Sequence, residues 1–114
     1  MKRISILLII LITISLAGCS QADEDGIVLE VSEKQIRLAR EISPEEYEEI
    51  KDKSMSDIQD EDASGDMDYG LIDLNYDKTE EFTKGDWVEV WLEDQIMQSY
   101  PPQANAKKIT IKEN

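Results

Sequence analysis

Histidine is absent from the chain, and cysteine occurs once, at Cys19. Without histidine there is no Ser-His-Asp or Cys-His catalysis and no imidazole-ligated metal. A lone cysteine excludes an internal disulfide, a thiolate zinc site and an iron–sulfur cluster. Basic residues are scarce: 12 Lys and Arg stand against 26 Asp and Glu, a net charge of −14. Phosphate backbones are gripped by clusters of Lys and Arg, so this balance excludes nucleic acid as a partner. No glycine-rich phosphate loop and no internal repeat is present. The longest apolar run, Ile4 to Ala17, falls short of the roughly 20 residues that span a bilayer. With 114 residues the chain has room for one small domain.

What is there begins with an address. Met1-Lys2-Arg3 is a basic start, the apolar run follows, and Leu16-Ala17-Gly18-Cys19 ends it in small residues. This is the pattern of a secretory signal peptide over residues 1–18. The last four residues resemble the bacterial lipobox, in which the cysteine thiol receives a diacylglyceryl group and becomes the new N-terminus. Cys19 is therefore the expected lipidation site, and the expected location is the outer face of the cytoplasmic membrane, held by lipid. After cleavage ten basic side chains face 26 acidic ones, a charge of −16. Anionic headgroups repel such a chain, so the lipid must do the anchoring. Residues 19–25 are polar and aperiodic, and read as a lipidated tether to a domain over residues 26–114.

Within that domain the apolar residues alternate. Ile27, Leu29 and Val31 share one parity; Ile36 and Leu38 share another after the hairpin-length Ser32-Glu33-Lys34. Ser43-Pro44-Glu45-Glu46 carries an N-cap, a proline at the first helical position and a capping box, predicting a short helix to about Lys51. Residues 52–68 hold few large apolar side chains and read as a long acidic loop. Tyr69 to Tyr76 predicts a third strand, with Ile72 and Leu74 inward. Lys84-Gly85-Asp86 is a tight turn into a fourth, with Val88, Val90 and Leu92 inward and Trp87, Glu89 and Trp91 outward. Lys108 to Lys112 is the fifth, with Ile109 and Ile111 inward. The expected fold is mainly β, a small five-stranded, OB-like barrel with one short helix. The usual OB helix lies between strands three and four; here it follows strand two.

The run Lys84-Gly85-Asp86-Trp87-Val88-Glu89-Val90-Trp91, followed by Ser99-Tyr100-Pro101-Pro102-Gln103-Ala104-Asn105-Ala106, resembles the YobA-like family. These are small lipoproteins and secreted proteins of Gram-positive bacilli. The resemblance covers the lipobox and residues 26–112. It implies a lipid-anchored domain outside the cytoplasmic membrane and brings no catalytic activity with it.

Three constellations could carry chemistry. Residues 41–68 hold 12 acids and two lysines. Within them Asp60, Asp62, Ser64, Asp66 and Asp68 follow the oxygen spacing of a Ca²⁺ loop, with Gly65 at the bend. The closing position is Leu71 rather than glutamate, so the expected affinity is weak. Trp87, Trp91 and Tyr100 form a candidate binding rim for an extracellular peptide, glycan or protein, against the alternatives that the indoles pack beneath the helix and that Tyr100 with Pro101 closes one end of the barrel. Carboxylate pairs for glycoside hydrolysis need a cleft and a defined separation that nothing in the sequence singles out. The expected function is a non-catalytic binding or interaction module without a cofactor, the alternative being weak Ca²⁺ binding through residues 60–68.

Overall fold

A computed structural model describes residues 21–112. The signal-peptide segment and Cys19 lie outside these residues. The elements are β1 (Glu24–Val31), β2 (Gln35–Ala39), helix α1 (Pro44–Ile50), helix α2 (Met55–Ser64), β3 (Leu71–Asn75), a 3-10 turn (Thr79–Glu81), β4 (Trp87–Leu92) and β5 (Gln103–Ile111). The strands close a barrel in the order β1-β2-β3-β5-β4, with β4 returning to β1. Only β3 and β5 run parallel among the described strand pairs; the others are antiparallel. Closure leaves no strand edge to template pairing with another chain. The OB-like barrel expected from the alternation is present, with its helical insertion after β2. No described helix is long and apolar enough to cross a membrane.

Local chemistry sets these boundaries. Ser43 accepts a hydrogen bond from the Glu46 amide while the Glu46 carboxylate accepts one from the Ser43 amide, and Pro44 opens α1. The Ser32 amide donates to the Gln35 carbonyl across the β1–β2 turn at 2.9 Å. Gly85, at φ 97°, supplies the left-handed residue of the turn before β4. Gly26 is fixed by crowding instead: a Cβ there would strike the Ala39 carbonyl oxygen on β2.

The core has two layers. The barrel interior holds Val28, Ile36, Leu38, Ile72, Leu74 and Phe82, with Val88, Val90, Ala104, Ala106 and Ile109. The second lies outside the barrel, where Ile27, Leu29, Ala39 and Leu71 pack under Ile50 of α1 and Ile58 of α2. Strands β1 and β3 therefore bury both faces, which is why their buried runs are continuous rather than alternating. Among the described residues nineteen hydrophobic side chains are buried, against the twelve aliphatics that strand parity alone places inside.

Several expectations are corrected. The acidic loop over residues 52–68 is mostly helix α2. Ser54 caps it by accepting from the Asp57 amide, and Gly65, at φ 85°, ends it. Glu24 and Asp25, expected in a tether over residues 19–25, pair instead with Val90 and Glu89 of β4. Strand β3 begins at Leu71 rather than Tyr69, and β5 begins five residues before Lys108. Ile111 is 53 % exposed rather than inward. Ile27 and Leu29 face the helices, not the interior, because a register shift between Val28 and Glu30 breaks the parity that links them to Val31.

Candidate functional site

OB-type barrels bind ligands on the face of strands two and three and on the β1–β2 and β4–β5 loops. Here the chain fills the first of these places itself. Arg37 of β2 and Asp73 of β3 stand side by side on the outer face. The guanidinium donates from Nε to Asp73 Oδ1 at 2.7 Å and from Nη2 to Oδ2 at 2.9 Å. Its Nη1 donates to Gln59 of α2 at 3.1 Å. Both side chains are mostly buried, at 16 % and 6 % exposure. The hydrogen bond to Asp73, opposed by burial, raises the Arg37 pKa above its ordinary value. The residue just before β5 is tied to the same strand: the Asp73 amide donates to the Pro102 carbonyl at 2.8 Å.

Tyr100, half exposed in the loop before β5, reaches α2. Its hydroxyl donates to Asp62 Oδ2 at 2.8 Å, from the loop onto α2. Desolvation of the hydroxyl and this hydrogen bond to a carboxylate push the phenol up to about 12. The sign follows from linkage. A folded-state pKa above the unfolded one gives stability that is complete below about pH 10 and lost as pH rises through about 12. Urea midpoints measured across that range should fall less steeply for Tyr100→Phe than for the parent protein.

The cation candidates fare differently from their spacing. Asp60, Asp62 and Ser64 lie on α2, where residues two apart point to different sides of the helix. The Asp62 carboxylate is already engaged, accepting from the Tyr69 amide at 2.8 Å as well as from Tyr100. Asp68 accepts from the Gly70 amide at 3.1 Å, and Asp66 lies past the Gly65 cap. Among the described residues, no group of three or more Asp and Glu is placed to hold a metal ion. The Ca²⁺ reading rested on a loop, and a capped helix stands in its place.

Trp87, Trp91 and Tyr100 are engaged separately. Trp87 packs against the layer beneath the helices. Lys112 Nζ lies 5.6 Å from the Trp87 ring and Lys108 Nζ 4.6 Å from the Trp91 ring, both from β5 and its end. Ammonium groups at these distances are held by the indole faces. Both indole Nε1 atoms are buried, without a hydrogen-bond partner among the described residues. Tyr100 sits on α2 instead.

The second OB-type place is open. A cleft of about 600 Å³ lies where the β1–β2 turn, the end of β3, the start of the β4–β5 connection and β5 converge. Lys34 comes from the turn, Tyr76 and Lys78 follow β3, Glu93 follows β4, and Lys107 lies in β5. Asn75 and Asn105 line it as neighbours in the parallel β3–β5 pair. They belong to an amide ladder across three strands. Gln35 Nε2 donates to Asn75 Oδ1 at 3.2 Å, and Asn75 Nδ2 donates to Asn105 Oδ1 at 3.0 Å. Each amide keeps a second N–H or lone pair for a ligand. Sequence reading missed these residues because single polar positions at strand ends carry no signal until pairing aligns them. The one available clue was that Gln35, Asn75 and Asn105 are amides on outward parity.

No curated protein matches the chain. Among solved structures, a crystal structure of a YobA protein from Bacillus subtilis is 16 % identical, with a TM-score of 0.56 over 78 % of this chain and 91 % of that one. The solution structure of Bacillus subtilis YobA residues 21–120 is also 16 % identical, with a TM-score of 0.55 over 82 % and 83 %. At that identity the likeness establishes the fold. A family model described as "Protein of unknown function (DUF3221)" matches residues 25–113. The chain belongs to that family, a YobA-like one by the structures it resembles.

Proposed function

We propose that the protein is a lipoprotein held at the outer face of the cytoplasmic membrane through Cys19. Its barrel serves as a non-catalytic binding module, with the ligand in the cleft between the β1–β2 turn and β5. The observation that carries this reading is the cleft itself. It is a concave site of ligand size, where polar groups from four chain segments converge. The rest of the OB-type surface is covered by α2 and the Tyr100 loop. The lining supports binding over catalysis: lysine, amide, phenol and carboxylate groups are present, without a nucleophile hydrogen-bonded to a base.

The anchor rests on Leu16-Ala17-Gly18-Cys19. Cys19→Ser should abolish incorporation of labelled palmitate and leave the precursor unprocessed, because a serine hydroxyl cannot form the thioether. Equal labelling of the serine variant would refute the lipid anchor. The cleft is tested separately, by mapping where ligands perturb the soluble domain.

A further inference from the structure

Ten Lys and Arg side chains fall within residues 21–112. Five are ion-paired: Arg37 with Asp73, Arg40 with Glu24, Lys51 with Glu48, Lys53 with Glu61 and Lys112 with Asp25. Lys84 donates to the Lys51 carbonyl, and Lys108 lies over Trp91. Three remain. The ammonium groups of Lys34, Lys78 and Lys107 have no ion pair, hydrogen bond or aromatic ring among the described residues, and all three residues line the same cleft. In a chain with 26 acidic side chains, unpaired ammonium groups would be expected to scatter. Instead three separate segments, the β1–β2 turn, the stretch after β3, and β5, bring them together.

We propose that the cleft takes a compact organic anion: one carboxylate or phosphate group on a neutral, hydroxyl-bearing body. This rests on the cleft being the ligand site. The ammonium groups supply up to nine donors and no acceptor, so they call for an anion. The Asn75–Asn105 amides beside them offer both donors and acceptors, which suits hydroxyl groups. Compactness follows from the surroundings. Asp77 and Glu93 stand on the cleft walls, and Asp94 accepts from Asn105 at 3.5 Å. Beyond them lies a protein of net charge −14. A polyanion reaching past the three lysines meets like charge, whereas a single anionic group does not.

The test uses the chain from residue 19 with Cys19→Ser, which contains every described residue. Amide ¹H–¹⁵N spectra are recorded with glucuronate and with glycerol 3-phosphate up to about 10 mM, a range suited to weak ligands. Glucose and glycerol are the neutral controls, and NaCl holds ionic strength constant. At least one anion should shift the amides around Lys34, Asn75 and Asn105, the carboxylate and phosphate arms telling the two sources apart. Lys34→Gln, Lys78→Gln and Lys107→Gln should each weaken that binding about threefold, as loss of one exposed ionic contact does. Lys108→Gln should leave it unchanged, and a polymeric glycerol phosphate should bind more weakly per group. Equal shifts from glucose or glycerol, indifferent to the lysine variants, would overturn the anionic class while leaving the cleft as the ligand site. Absence of cleft shifts with both anions, or an equal effect of Lys108→Gln, would also overturn it.

Discussion

Val90→Asp is expected to leave the domain without a cooperative thermal transition, while Glu89→Ala shifts the midpoint by no more than a few degrees. Val90 is fully buried in the barrel interior, between β1 and β5, where it pairs with Glu24 on one side and Ile109 on the other. Both flanking ladders hold β4 in register, so an aspartate there cannot rotate to water. A buried, unpaired carboxylate costs several kcal/mol, out of a total stability that is typically about 5–15 kcal/mol for a folded domain. Glu89 lies on the outward face, and most outward substitutions change stability by only about 0.5 kcal/mol. Circular dichroism melts of the two variants check this directly. The opposite outcome would mean that the parity of β4 is inverted, since a one-residue slip exchanges its faces.

The second large effect lies outside the barrel. Asp73→Ala should destabilise the protein by roughly 3–5 kcal/mol, because it leaves the Arg37 guanidinium mostly buried without its partner. For a domain of this size each kcal/mol moves the melting midpoint by about 4–8 °C. The paired replacement Arg37→Met with Asp73→Leu should recover most of the loss, since it removes both charges and keeps apolar volume against α2. Urea unfolding of the single and double variants measures the coupling. If the double variant were as unstable as Asp73→Ala alone, the geometry of the bidentate pair, not the stranded charge, would be what holds α2 and the Pro102 loop in place.

The same face explains how far the sequence could be read. Alternation is enough to find β2 and β4, whose interior residues are aliphatic. In β1 it finds the strand but puts Ile27 and Leu29 on the wrong face, because Ile27, Val28 and Leu29 are all aliphatic and all buried. The capping box at Ser43 was enough to start α1. Helix α2 was hidden because its inward side is only half apolar: Met55 and Ile58 face the core, while Gln59 and Asp62 face Arg37 and Tyr100. A periodicity argument sees two apolar residues among acids and reads a loop, although Ser54 and Gly65 were cap signals at suitable positions. The N-terminal part of β5 was hidden for a related reason. Ala104 and Ala106 are its inward residues, and they fill the barrel beside bulkier neighbours without giving a hydrophobic run.

The sites were less legible than the strands. Acid spacing suggested a cation loop, but a helix takes Asp60 and Asp62 to different sides. Aromatic spacing suggested a rim, but the indole rings carry lysines from β5 and its end, and Tyr100 is fixed to α2. The cleft depends on Asn75 meeting Asn105 across a parallel pair, a juxtaposition between residues thirty apart that no local pattern encodes. Its lysines are ordinary surface residues one at a time. Their meaning comes from where the barrel gathers them, and from the partners that the other basic residues have found.

The proposed binding role places a ligand in that cleft. The most direct measurement is an amide ¹H–¹⁵N map of the chain from residue 19, with Cys19→Ser, titrated with the small-molecule fraction of a Gram-positive cell envelope. Shifts should be confined to Lys34, Asn75 to Lys78, Glu93 and Asn105 to Lys107. Shifts on α2, or around Trp91 and Asp23 to Asp25, with the cleft amides unmoved, would contradict that placement.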